Sequence, residues 1–305
     1  MRILLFGSTG QVGWELRRSL SVLGEVIAPR RVPAADGLCG DLSDLDGLAA
    51  TIRAVAPAVI VNAAAYTAVD KAEGDANTAA RINADAPAMM ARAAGALGAW
   101  LLHYSTDYVF DGSGTRPWAE EDATGPLSVY GQTKLAGEQA VQGYARHTIL
   151  RTSWVYGARG GNFAKTMLRL GAERATLNVI ADQWGAPTSA ELLADVSAHA
   201  LALSLRAPAV AGLYHCAAGG ETTWHGYASY VLEQARALGW ALQAQSVNAI
   251  PTSSYPTPAA RPLNSRLNTQ RVRDTFGLAL PPWQHGVLRM LQEISPPPAP
   301  TTPSA

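Results

Sequence analysis

The sequence predicts a doubly wound α/β fold, a parallel sheet with helices on both faces, and three observations carry that expectation. Short apolar runs alternate with longer stretches of helical spacing through the first half of the chain. A glycine-rich turn, Gly7-Ser8-Thr9-Gly10-Gln11-Val12-Gly13, joins the first apolar run to the first helical stretch. The chain has 305 residues, 48% of them hydrophobic and only 16% charged, enough to bury a large core in one α/β unit or in two.

The elements follow in order. Ile3-Leu4-Leu5-Phe6 reads as a buried strand, and residues 12–23 carry Val12, Leu16, Leu20 and Leu23 on one helical face. Val26-Ile27-Ala28 is a second short strand. Residues 42–55 are helical, with Asp44 placed to cap. Val59-Ile60-Val61 follows Pro57 as a third strand, and residues 78–97 form a helix. The fourth strand is Trp100 to Tyr104, the next helix spans 129–143, and the fifth strand is His147 to Arg151. Beyond about residue 153 the order loosens. Residues 163–174, 190–205, 222–238 and 283–294 read as helices, and prolines mark 250–262 as loop-rich.

Lysine plus arginine and aspartate plus glutamate number 24 each, so the charge balance gives no reason to expect nucleic acid or an anionic membrane as partner. Cys39 and Cys216 lie far apart and in no metal-type spacing, and the six histidines form no paired motif. No charged and apolar leader precedes the first strand, and no uninterrupted apolar run approaches about 18 residues, so a cytoplasmic protein is expected. Residues 295–305 read as a disordered proline-rich tail.

The glycine turn has the spacing GxxGxxG. Glycine permits a tight turn there and lets backbone approach a pyrophosphate, while the helix start offers free N–H groups. A Rossmann-type dinucleotide-binding unit is therefore expected over residues 1–153, with a return near 176–205. Residues 154–175 and 206–294 are expected to form a smaller substrate-binding region. After the second strand stand Ala28-Pro29-Arg30-Arg31 and no acid, which points to NADPH with NADH tolerated; a solvated basic turn is the other reading. Asp41 and Leu42 sit where a loop can hold an adenine edge, although Asp41 also suits a turn. Ala63-Ala64-Ala65 offers small side chains for a nicotinamide ribose, or for tight packing.

Tyr130-Gly131-Gln132-Thr133-Lys134 sets a tyrosine and a lysine four apart on one helical face. The lysine charge is expected to lower the tyrosine pKa, and such a phenol can protonate a carbonyl oxygen as hydride reaches the carbon. The fourth strand leads into Ser105-Thr106, whose hydroxyls can reach the same oxygen.

These motifs resemble the extended short-chain dehydrogenase/reductases. Longer stretches, among them 61–73, 104–110, 129–138, 151–156, 162–167, 182–188 and 261–267, are similar to the dTDP-4-dehydrorhamnose reductases, a likeness that runs from residue 1 to about 294. The resemblance implies reduction of the 4-keto group of a dTDP-linked deoxy-keto-sugar, dTDP-4-dehydro-β-L-rhamnose. It implies Tyr130 as the acid, Lys134 holding the nicotinamide ribose, Thr106 assisting, and Asp70 and Trp154 against the sugar nucleotide. It also implies a homodimer with a structural Mg2+ at Glu15, Glu191 and Glu293. The family often has an acid where Arg30 stands, which opens the cofactor question. Another nucleotide-sugar reductase or epimerase of the superfamily, and a non-catalytic dinucleotide-binding regulatory subunit, are the other readings.

Overall fold

The computed structural model describes residues 1–32 and 37–295, so residues 296–305 of the expected tail lie outside it. The first half runs β1 (Arg2–Phe6), α1 (Gln11–Leu20), β2 (Glu25–Ile27), α2 (Leu45–Val55), β3 (Val59–Asn62), α3 (Val69–Ala72), α4 (Ala76–Ala80), α5 (Ala86–Leu97), β4 (Trp100–Thr106), α6 (Val129–Gln142) and β5 (His147–Thr152). The second half runs β6 (Val155–Tyr156), α7 (Phe163–Glu173), β7 (Thr176–Ile180), β8 (Trp184–Gly185), β9 (Thr188–Ser189), α8 (Ala190–Ser204), β10 (Gly212–His215), β11 (Thr222–Thr223), α9 (Trp224–Ala237), β12 (Ser246–Ile250), α10 (Gln270–Phe276) and α11 (Trp283–Ile294).

Six strands form one wholly parallel sheet in the order β2-β1-β3-β4-β5-β10. Alternation along each strand divides the core between its two faces. Ile3, Leu5, Val59, Val61 and Leu102 pack with Leu16 and Leu20 of α1 and Leu193 and Leu201 of α8. Leu4, Phe6, Ile60 and Leu101 pack with Leu48 and Ile52 of α2 and Met90 of α5. Each such leucine, fully buried, contributes roughly 1.5–3 kcal/mol. A third core joins α7, α9 and α11 through Leu168, Val231, Leu232 and Val287.

The direction of winding reverses between β1 and β3, since β2 lies on one side of β1 and β3, β4, β5 and β10 on the other. Connections leave the carboxyl ends of β1 and β3 in opposite directions and open a crevice there. Thr106 at the end of β4 sits beside Thr152 of β5 in register, at the same edge.

Some boundaries differ from expectation for visible reasons. α2 starts at Leu45 because the Asp44 side chain accepts from Gly47 N (2.9 Å). The single helix expected over 78–97 is interrupted by a π-helical turn, Arg81–Asp85. Strand β10 lies inside residues 206–294, yet it pairs with β5 and so belongs to the main sheet rather than to the smaller region. Strands β7 and β12 pair with each other in a separate two-stranded sheet.

Candidate active site

The three glycines of the turn are small for different reasons. Gly7 has φ +85°, and a Cβ there would lie 2.6 Å from Ala64 N. A Cβ on Gly13 would lie 2.0 Å from Gly7 O. Both are demanded by the chain's own backbone. At Gly10 a Cβ meets nothing closer than Gly7 O, at 3.4 Å, so here a bare backbone keeps open ground in front of α1. No side chain caps α1 and no acid stands in its first turn, so Gln11, Val12 and Gly13 begin a helix whose first N–H groups suit an anion. Gln11 Oε1 accepts from Asn162 Nδ2 (3.1 Å), which holds its side chain beside the turn.

One end of the crevice is a pocket of about 160 Å3, walled by Arg30, Arg31, Gly40, Asp41, Leu42 and the glycine turn. Arg31 lies 3.6 Å from Asp41. Burial pulls the Asp41 carboxyl upward, but hydrogen bonds from Ser43 and the Arg31 charge more than offset it, leaving it below its ordinary value. The other end is a cleft of about 740 Å3 that shares Gly7, Thr9, Ala64 and Ala65 with the pocket. Its wall takes in Gly10, Gln11, Val12, Ala63, Ser105, Thr106, Tyr130, Lys134 and Trp154.

Helix α6 supplies Tyr130 and Lys134. Ser128 caps it by accepting from Gly131 N (3.2 Å). Gly131 and Gly137 let it close on its neighbours: a Cβ would come 2.3 Å from Tyr108 O at the first and 1.9 Å from Asn83 O at the second. Lys134 Nζ donates to Tyr104 O at 2.5 Å. Burial pushes Lys134 down to about 8, against the charge of Glu138. The protein's own groups also correct the expectation for Tyr130. Burial pushes its phenol up to about 12 and the Asp107 charge adds to this, whereas a hydrogen bond from Thr106 lowers it. Thr106 Oγ1 lies 3.0 Å from Asp107 Oδ1, and burial pushes that carboxyl up to about 6. Ser105 Oγ and Thr152 Oγ1 are buried in the cleft wall with no hydrogen-bond partner among the described residues. Such orphans mark a place shaped for a polar guest.

At the far end Trp154 stacks on Trp224, with centroids 3.6 Å and planes 12° apart. Trp154 has φ +51°, a left-handed conformation that a tryptophan rarely adopts. Its ring lies on Gly185, where a Cβ would be 2.7 Å from Trp154 Cε2. Trp224 Nε1 donates to Gln183 Oε1 (3.0 Å), which fixes the second ring.

The sequence model of one family, described as the RmlD substrate binding domain, matches residues 1–295. A dTDP-4-dehydrorhamnose reductase of Shigella flexneri is 59% identical over 295 residues, covering 96% of this chain and 98% of its own. The chain belongs to the dTDP-4-dehydrorhamnose reductase family. Solved structures agree with this. The dTDP-4-dehydrorhamnose reductase of Clostridium acetobutylicum superposes with a TM-score of 0.86 at 33% identity, covering 96% of this chain and 99% of that one. That of Bacillus anthracis, in complex with NADP, gives 0.85 at 32% identity with the same coverage.

Within this reductase family fold, Asp70, Glu15 and Glu191 have arginine partners of their own within the chain. Asp70 is not in the cleft wall, which takes Val69 instead. Its carboxylate is held by Arg261, through Nη1 at 3.0 Å and Nη2 at 2.8 Å, and that hydrogen bonding lowers it below its ordinary value. Within the single chain, the three glutamates expected to hold magnesium at a dimer interface have separate surroundings. Glu15 lies 3.4 Å from Arg18 and Glu191 2.9 Å from Arg289, while Glu293 is exposed on α11. No group of three histidine, cysteine, aspartate or glutamate side chains suited to a metal ion occurs among the described residues.

Other residues come into view only in three dimensions. Trp224 and Gln183 complete the aromatic end of the cleft, and no spacing in the sequence links them to Trp154. Asn83, in the π turn, accepts from Tyr66 N (2.8 Å) and donates to Thr133 Oγ1 (3.2 Å). It thereby ties the segment after β3 to α6. The only sequence signal for it would have been a polar residue on the buried face of an otherwise apolar helix.

Proposed function

We propose that this protein reduces the 4-keto group of dTDP-4-dehydro-β-L-rhamnose with NADPH, giving dTDP-L-rhamnose. One observation carries the reading: the glycine turn, the Tyr130–Lys134 face of α6 and the Trp154–Trp224 stack all open on one continuous cleft. Family membership, and the NADP held by the Bacillus anthracis relative, support the choice of cofactor.

The residues fit a dinucleotide. Gly10 leaves room for a pyrophosphate at the start of α1, and Arg30 and Arg31 stand where a 2′-phosphate would need positive charge. The bound dihydronicotinamide supplies hydride to the carbonyl carbon. Tyr130 gives its hydroxyl proton to the oxygen as that oxygen gains negative charge, and Thr106 donates a hydrogen bond to the same oxygen. Lys134 binds the nicotinamide ribose, and the Thr106 hydrogen bond partly offsets the burial that holds Tyr130 high. Ser105 offers a second hydroxyl to the sugar, and Trp154 with Trp224 gives it a flat face. We assign residues 1–153, helix α8 and strand β10 to dinucleotide binding, and the rest of the C-terminal half, including β7 and the β8 segment, to the sugar nucleotide. A homodimer and a cytoplasmic location belong to the same reading; among the described residues no helix is long and apolar enough to cross a membrane. The single chain by itself offers no magnesium site among its described residues.

The test is NADPH oxidation by the purified protein with the dTDP-linked 4-keto-sugar, read beside its UDP-linked counterpart. One NADPH consumed per sugar is expected. No oxidation with either, or NAD retained through purification and turnover as an epimerase requires, overturns the reading.

A further inference from the structure

We propose that Glu138, one turn beyond Lys134 on α6, is the counter-ion that keeps Lys134 protonated, and that Arg151 of β5 limits how much of that charge Lys134 feels. Glu138 is thus a positioning residue. The inference rests on the role given to Lys134 above.

Tyr130, Lys134 and Glu138 occur at every fourth position, so they form one ladder down the buried face of α6. Lys134 is 3% exposed and Glu138 1%. An ammonium buried this deeply tends to lose its proton unless an opposite charge is near. No carboxylate lies within ion-pairing distance of Lys134 among the described residues; its ammonium donates to the Tyr104 carbonyl. Glu138 raises Lys134 through space while both its oxygens are engaged elsewhere. Arg151 Nη2 reaches Oε1 at 2.6 Å and Arg151 Nε reaches Oε2 at 2.9 Å. Arg151 is itself 3% exposed, held further by the Glu120 carbonyl and lying over the Phe110 ring.

The surroundings leave Glu138 as the group that matters. From β4, His103 faces Lys134 but is held neutral by burial and by the Lys134 charge itself. His215 of β10, against Arg151, is pushed down to about 3 by burial and is neutral as well. The Glu120 side chain accepts from His215 N. Helices α3, α5, the π turn and the tight turn Asp107–Val109 pack on α6: the Lys71, Arg81, Asp85 and Arg92 side chains are exposed, Asp70 is paired with Arg261, and the buried Asp107 carboxylate accepts from Thr106 Oγ1 and acts on Tyr130. Arg151 holds both oxygens of the Glu138 carboxylate, so its own positive charge opposes the carboxylate's field at Lys134, and its removal should raise the Lys134 midpoint.

The experiment is an NMR titration of protein carrying 13Cε-lysine, with Lys134→Met assigning the Lys134 signal, so no turnover and no cofactor is needed. Midpoints are expected in the order Arg151→Met, wild type, Glu138→Gln/Arg151→Met, Glu138→Gln, from highest to lowest. Glu138→Gln should lie about one pH unit below wild type. It leaves Arg151 buried and unpaired; if it does not fold, the charge-balanced double variant carries the test. A Lys134 midpoint that stays at the wild-type value in whichever of these two variants folds, or that rises, overturns the proposal. If the series appears but the wild type reduces no sugar, the functional reading fails and the Glu138 assignment stands.

Discussion

Trp224 lies flat on Trp154, with ring centroids 3.6 Å apart, although the two come from segments distant in the chain. One ring sits in a left-handed backbone and the other is fixed by Gln183. Neither feature is needed to bury a tryptophan. Both make sense if the pair must present a flat surface to the cleft. Trp224→Ala is expected to raise KM for the nucleotide sugar about fivefold, in line with about 1 kcal/mol for a stacked aromatic pair. Trp224→Phe should recover most of it. Steady-state kinetics check this; an unchanged KM would remove Trp224 from sugar binding.

Tyr130→Phe removes the proposed proton donor and little else, since the ring keeps its edge contact with Tyr108. A loss of about 10²–10⁴-fold in kcat is expected. The NADPH dissociation constant should stay within about twofold, as measured by fluorescence titration.

Arg30→Ala and Arg31→Ala test the cofactor choice. A charge-assisted hydrogen bond to a 2′-phosphate contributes about 1.5–3 kcal/mol, so the ratio of kcat/KM for NADPH over NADH should fall at least about tenfold in one of them. The same ratio in both variants as in wild type would make the basic turn mere surface.

Asp107 gives a pH dependence with a definite sign. Burial holds its folded pKa at about 6, above the ordinary 3.8. The folded state therefore binds that proton more tightly than the unfolded state does. Below about pH 4 both states are protonated and Asp107 costs nothing; between about pH 4 and 6 stability falls, and above 6 the full penalty remains. Asp107→Asn should accordingly be more stable than wild type above pH 6, by no more than about 3 kcal/mol, with the difference vanishing near pH 4. Thermal melts across that range measure it.

Much of this was legible beforehand, for reasons that can be named. Strands β1, β3 and β4 are buried on both faces, so they appear as unbroken apolar runs. The glycine turn and the Tyr130–Lys134 pair are local, fixed by one loop and one helix. Strand β10 escaped because Gly-Leu-Tyr-His is short and begins at a glycine, so its membership of the sheet depends on β5 being already in place. The Asp70–Arg261 pair and the Trp154–Trp224 stack escaped because each joins segments with no periodic relation. The π turn escaped because nothing in Arg81–Asp85 breaks a helical pattern; the extra residue is absorbed where Asn83 turns inward.

Tyr130 and Lys134 ride on one rigid rod, whereas the aromatic surface is assembled from the loop after β5, the β8 segment and the start of α9. The proposed reacting groups and the proposed recognition groups therefore belong to separable parts of the chain. Substitutions that remodel the second can change which sugar is accepted while the distances governing proton delivery stay as they are, so this scaffold can acquire new specificities without rebuilding its chemistry.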